Sequence, residues 1–112
     1  KMDFKELSKE ETKRALEAIE IAKKTGKIKK GINEVTKAVE KSQAKLVVVA
    51  TDVNPKEIIL HLPMLCKEKN VALIPVPSRQ DLGLSAGLSV PTTAVAIIKE
   101  GDSKDLIKEL SK

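Results

Sequence analysis

The chain has almost no aromatic side chains: Phe4 is alone, with neither Trp nor Tyr among its 112 residues. Sheets that bind single-stranded bases by stacking need exposed Phe, Tyr or Trp, so a reader of that kind is disfavoured and the core must be aliphatic. A single cysteine, Cys66, and a single histidine, His61, exclude an intramolecular disulfide and every cysteine-rich zinc site. A reducing cytoplasm is the expected compartment. No apolar run approaches the roughly 20 residues of a membrane span, and Lys1-Met2-Asp3-Phe4 has no apolar stretch behind its charges. Neither a membrane association nor a secretory address is therefore expected. Repeats, low-complexity stretches and linkers are also missing, so residues 1–112 are expected to form one domain.

Charge is plentiful. Twenty-one Lys and Arg face 16 Asp and Glu, giving a net charge of +5 and an isoelectric point near 9.3. This balance suits a polyanionic partner, and equally a protein that merely stays soluble.

Hydrophobic spacing organises the chain. Ser8 and Glu11 have capping-box spacing, and Ala15, Leu16, Ala18, Ile19 and Ala22 follow at helical intervals until Gly26, predicting a helix over 8–25. Lys27-Ile28-Lys29-Lys30 reads as a small edge strand. Gly31 breaks the chain, and Val35, Ala38 and Val39 resume a helical stripe. Leu46–Ala50 is a continuous apolar run of the kind found in strands covered on both faces. Pro55 starts a helix with Ile58, Ile59, Leu62, Leu65 and Cys66 inward and a kink before Pro63. Ala72–Val76 forms a second buried strand, Ser78 to Ala86 a short helix, Leu88-Ser89-Val90-Pro91 a loop, and Thr93–Ile98 a third core strand. Ser103 is expected to cap a last helix with Leu106, Ile107 and Leu110 inward. The alternation α-β-α-β-α-β-α-β-α predicts an α/β fold, a three-layer α/β/α sandwich around a small mixed sheet.

The segment Gly31 to Lys37 carries the chemistry. Gly31 admits close backbone approach, and the helix turn after it offers unpaired amides and a positive dipole end, which suit phosphate. Asn33 and Lys37, four residues apart, share a helix face, with Glu34 about 100° round from Asn33. A guanine whose pairing edge is partly free, as in a sheared G·A pair, presents an acceptor beside a donor, so Asn33 and Lys37 can donate while Glu34 accepts. Lys23, Lys24, Lys27, Lys29 and Lys30 precede the glycine and supply attraction for phosphates. A plainer reading stands beside this one: Asn33 caps the helix, Glu34 complements its dipole, and the lysines are a solvated face.

Lys30-Gly31-Ile32-Asn33-Glu34-Val35-Thr36-Lys37-Ala38-Val39-Glu40, Ala44-Lys45-Leu46-Val47-Val48, His61-Leu62-Pro63-Met64-Leu65-Cys66, Val76-Pro77-Ser78 and Leu82-Gly83 together closely resemble the archaeal ribosomal protein L7Ae family, in order and separation, over nearly the whole chain. The resemblance implies a non-enzymatic kink-turn RNA-binding protein of α/β/α type that needs no cofactor or metal. It implies a place in the large ribosomal subunit, in box C/D and box H/ACA guide-RNA particles and in ribonuclease P. Partners would be kink-turns in rRNA, guide RNAs and ribonuclease P RNA, together with guide-particle scaffold proteins, and the free protein would be a monomer. By the same resemblance, Gly31, Asn33, Glu34 and Lys37 grip tandem sheared G·A pairs, with backbone contacts around Lys30 and Ile32 and the basic run, Lys27 included, behind them. Leu88, Ser89 and Val90 would cap stacked bases beside the bulge, and Asn54, Ile58 and Arg79 would form the pocket of a flipped-out nucleotide. Two positions depart from the family pattern: Ile32 stands where a small or hydroxyl residue is usual, and Asn54 where an acid is common.

Other residues invite chemistry and do not sustain it. His61 and Cys66 lie about 140° apart on their helix with Pro63 between them, so Cys66 is expected in the core and His61 partly buried with a hydrogen-bond partner. Asp52 and Glu57 suit turn and helix-start roles. Two alternatives remain at this stage: a protein-interaction domain whose basic patch docks an acidic partner, and, remotely, a small hydrolase using Cys66.

Overall fold

The computed structural model describes residues 9–52 and 61–110, with side chains described over 12–52 and 61–108. The Ser8–Glu11 capping box, the Pro55 helix start, Leu60 at the near side of the expected kink, Asn54, Ile58, Ile59 and the Leu110 side chain lie outside the described residues or side chains. In chain order the elements are α1 (Lys9–Thr25), β1 (Lys27–Lys30), α2 (Ile32–Glu40), β2 (Leu46–Ala50), α3 (His61–Glu68), β3 (Ala72–Val76), α4 (Arg79–Ser85), β4 (Ala94–Lys99) and α5 (Lys104–Leu110).

The sheet runs β1-β4-β2-β3, with β4 antiparallel to both β1 and β2, and β2 parallel to β3. All of β2 is buried, because successive side chains point to opposite faces and helices cover each face. Leu46, Val48 and Ala50 join α1, α4 and α5 in one cluster, with Ile19, Leu82 and Ile107. Val47 and Val49 pack beneath α2 and α3 with Val35, Val39, Leu62 and Cys66. Three layers follow directly from this two-residue period set against two helical stripes.

Tight glycines hold the layers together. A Cβ at Gly26 would collide with the Lys99 carbonyl, so α1 turns into β1 only by backbone-to-backbone approach. Thr25 clamps the same corner: its hydroxyl donates to the Ile21 carbonyl and accepts from the Asp102 amide, both at 2.8 Å. Ser103 departs from expectation. A 3-10 turn, Gly101–Ser103, runs straight into α5, and the Ser103 hydroxyl donates back to the Glu100 carbonyl. With the chain already helical before Lys104, the hydroxyl has no open helix start to face.

Candidate nucleic-acid interface

Strand direction gathers the site. Because β1, β2 and β3 run the same way and β4 runs against them, the ends of the first three and the start of β4 lie at one edge of the sheet. Gly31, Asp52, Arg79 and the loop before Thr93 therefore converge, and backbone bonds join them. The Gly31 amide donates to the Ala94 carbonyl at 2.9 Å, Ala50 to Thr93 at 2.8 Å, and Thr92 to Arg79 at 3.2 Å. Loops at the carboxyl ends of strands are the usual place for a site on such sheets.

Gly31 is the N-cap of α2 at φ 95° and ψ 148°, with no side chain capping the turn. A Cβ there would meet nothing within 4 Å, so the glycine is required by backbone conformation and not by crowding. The helical ladder begins with the Val35 amide on the Gly31 carbonyl at 2.9 Å, which leaves the amides of Ile32, Asn33 and Glu34 without intrahelical partners. Asn33 sits inside the first turn, so the reading in which it caps the helix does not hold. Val35, Ala38 and Val39 take the buried stripe, and Asn33, Glu34 and Lys37 are all exposed on the solvent side. Unpaired amides, two amphoteric or acceptor groups and one ammonium thus share one open surface, able to accept an anion and to match a donor–acceptor edge beside it.

The second face of α2 is tied down. Thr36 Oγ1 donates to the Ile32 carbonyl at 2.7 Å and lies 2.8 Å from His61 Nε2. Since a hydroxyl carries one hydrogen, Nε2–H must be the donor in the second bond. His61 is exposed, contrary to the partly buried position expected from its apolar neighbours, because it leans across to α2 and does not enter the core. Cys66 is 1% exposed on the buried side, so the two do not meet. Burial pushes its thiol up from 9.0 to about 11, the wrong direction for a nucleophile at neutral pH.

Arg79 opens α4. Its amide donates to Asp52 Oδ1 at 3.0 Å, and its Nε lies 3.6 Å from the same oxygen, while Ser78 Oγ caps the helix by accepting from the Asp81 amide at 3.2 Å. Asp52 is thus a brace across the strand ends, a long-range role in place of the local turn role expected of it. Asn54 and Ile58, assigned with Arg79 to one pocket, lie outside the described residues. In the loop, Leu88 is half-buried against the first core cluster, Ser89 is exposed, and Val90 is 60% exposed. Gly83 sets the loop's position, since a Cβ there would collide with the Val90 carbonyl and the Gly83 carbonyl accepts from Leu88 at 2.8 Å.

The basic run divides in space. Lys30 adjoins Gly31, but Lys27 stands at the opposite end of β1, about 10 Å away at strand spacing, and the Lys23 side chain lies over Gly87. An open cleft of about 530 Å³ between α1 and α4 is lined by Glu17, Glu20 and Asp81 with Lys13 and Leu84; its acidic rim repels phosphate. No group of three or more His, Cys, Asp or Glu able to hold a metal occurs among the described residues, and no described helix is long and apolar enough to cross a membrane. Sequence reasoning missed the Thr36–His61 and Asp52–Arg79 links, whose partners stand 25 and 27 residues apart; no local signal announces either.

Comparison with known proteins agrees with this arrangement. The structure of the Giardia lamblia 15.5kD RNA binding protein superposes with a TM-score of 0.89 at 32% sequence identity, covering 98% of this chain and 90% of that one. A family model matches residues 13–107. The chain therefore belongs to the ribosomal protein L7Ae/L30e/S12e/Gadd45 family, a family of non-enzymatic proteins.

Proposed function

We propose that this chain is an RNA-binding protein that recognises kink-turns through their tandem sheared G·A pairs. The observation that carries the reading is the uncapped first turn of α2, where free amides at 32–34 adjoin the exposed side chains of Asn33, Glu34 and Lys37. The amides seat a phosphate, Asn33 and Lys37 donate to guanine acceptors, and Glu34 accepts from guanine N–H groups. Lys30 and the backbone of Ile32 hold the flanking strand. Val90, with Ser89 and the half-buried Leu88, caps the stacked bases beside the bulge, and Arg79, with Asn54 and Ile58, surrounds the extruded nucleotide. Binding shifts a bent form that the free RNA already visits.

The same RNA shape recurs in many assemblies, so the reading extends to the large ribosomal subunit, box C/D and box H/ACA particles and ribonuclease P in an archaeal cytoplasm. The free protein is a monomer, and scaffold proteins dock through Lys56, Lys67 and Glu68 on the exposed side of segment 55–70.

A mobility-shift titration at fixed salt tests the core of this reading, using one kink-turn RNA with its G·A pairs and the same RNA with those pairs replaced by Watson–Crick pairs. Binding is expected to the first and to fall sharply on the second. Glu34→Ala and Lys37→Ala should each cost about 1–3 kcal/mol on the kink-turn and little on plain duplex. Equal losses on both RNAs would refute base reading by these residues.

A further inference from the structure

The edge of the sheet opposite Gly31 carries its own concentration of positive charge. Lys27 of β1 pairs with Lys99 of β4 across a register shift between Lys27 and Ile28, and the Lys45 amide donates to the Ile97 carbonyl at 2.6 Å, which sets Lys45 near them at the start of β2. Lys41, the C-cap of α2, is joined to this edge by the short turn before Ala44. All four lysines are exposed, and no ion pair engages Lys27, Lys45 or Lys99 among the described residues, although Glu40 and Glu100 adjoin Lys41 and Lys99 in sequence.

Like charges gathered at one end of a sheet repel one another. A polyanion laid across the cluster relieves that repulsion and releases its own counterions. Strand length separates this edge from the Gly31 edge by roughly 13–20 Å at about 3.3 Å per residue, too far for one phosphate to serve both. We propose that Lys27, Lys45 and Lys99, with Lys41, form a second, sequence-independent docking surface for the phosphate backbone of an RNA helix, occupied while the α2 site holds its own RNA. The proposal rests on the reading of the chain as an RNA-binding protein and leaves the identity of the first RNA open.

The test uses the full chain saturated with an unlabelled kink-turn hairpin and titrated at low salt with a labelled plain RNA duplex. A ternary complex is expected. K45Q/K99Q should weaken the duplex step roughly ten- to hundredfold and flatten its salt dependence by somewhat under two units of log–log slope. The same variant should keep its affinity for the kink-turn and its melting temperature, or melt slightly higher as the repulsion disappears. K13Q/K108Q, which removes equal charge elsewhere, should leave the duplex step near its original affinity. The proposal is overturned if the hairpin competes the duplex away, if K45Q/K99Q binds duplex like the parent, or if K13Q/K108Q loses as much. Should the hairpin itself fail to bind, the kink-turn reading falls separately, and the free chain titrated with duplex still reads the lysine edge through the same pair of variants.

Discussion

Replacing Gly31 with alanine isolates the one backbone feature on which the α2 site depends. At φ 95° and ψ 148° the residue lies near a region populated almost solely by glycine, and holding an L-residue there costs about 1–3 kcal/mol. Sterics add nothing, because an added Cβ has no atom within 4 Å. Alanine also narrows the unfolded ensemble, returning about 0.4–1 kcal/mol. The net loss expected for Gly31→Ala is therefore about 1–2 kcal/mol. For a domain of this size that lowers the melting temperature by roughly 4–10 °C, read by circular dichroism at fixed pH. The Val35 amide bonds the Gly31 carbonyl and the Gly31 amide bonds Ala94, so relaxation of φ to negative values must turn the free amides of 32–34 and weaken kink-turn binding in parallel. An unchanged melting temperature would refute the reasoning, since it would mean that the helix start relaxes freely and is not held in this conformation. A loss far beyond about 3 kcal/mol would contradict the open space around the position.

Two further outcomes follow from packing and burial. Gly83→Ala drives a methyl into the Val90 carbonyl, and overpacking of this kind costs about 1–3 kcal/mol; the loop over 88–92 should shift, visible as amide shift changes there, while α2 resonances stay put. Cys66 should resist iodoacetamide from pH 7 to 9 in the native protein and react quickly in urea, because burial holds its thiol up at about 11. The folded thiol stays protonated where the unfolded one ionises, so its stabilising contribution is complete below about pH 9. It is lost between about pH 9 and 11, a fall of roughly 2–3 kcal/mol that Cys66→Ala removes.

Much of this protein is legible in its sequence. The apolar run Leu46–Ala50, the stripe Val35, Ala38 and Val39, the punctuation at Gly26, Gly31 and Gly87 and the cap at Ser78 each appear where periodicity and local chemistry put them. These features are decided within a turn or a strand, by the two-residue and 3.6-residue periods and by the φ that glycine permits. The exposure of Asn33, Glu34 and Lys37 belongs to the same class, since it is the complement of the buried stripe. What only the tertiary structure decided involves residues far apart in the chain. Lys23, Lys27 and Lys30 look like one patch in sequence, yet a helix end and a short strand send them to three places, and Lys27 acquires Lys99 as its neighbour. Asp52 reaches Arg79, and His61 leaves its apolar surroundings for Thr36. Such pairings depend on strand order and register, which no local pattern encodes; the order β1-β4-β2-β3 gathers the loops of the candidate site at one edge of the sheet and leaves a row of lysines at the other.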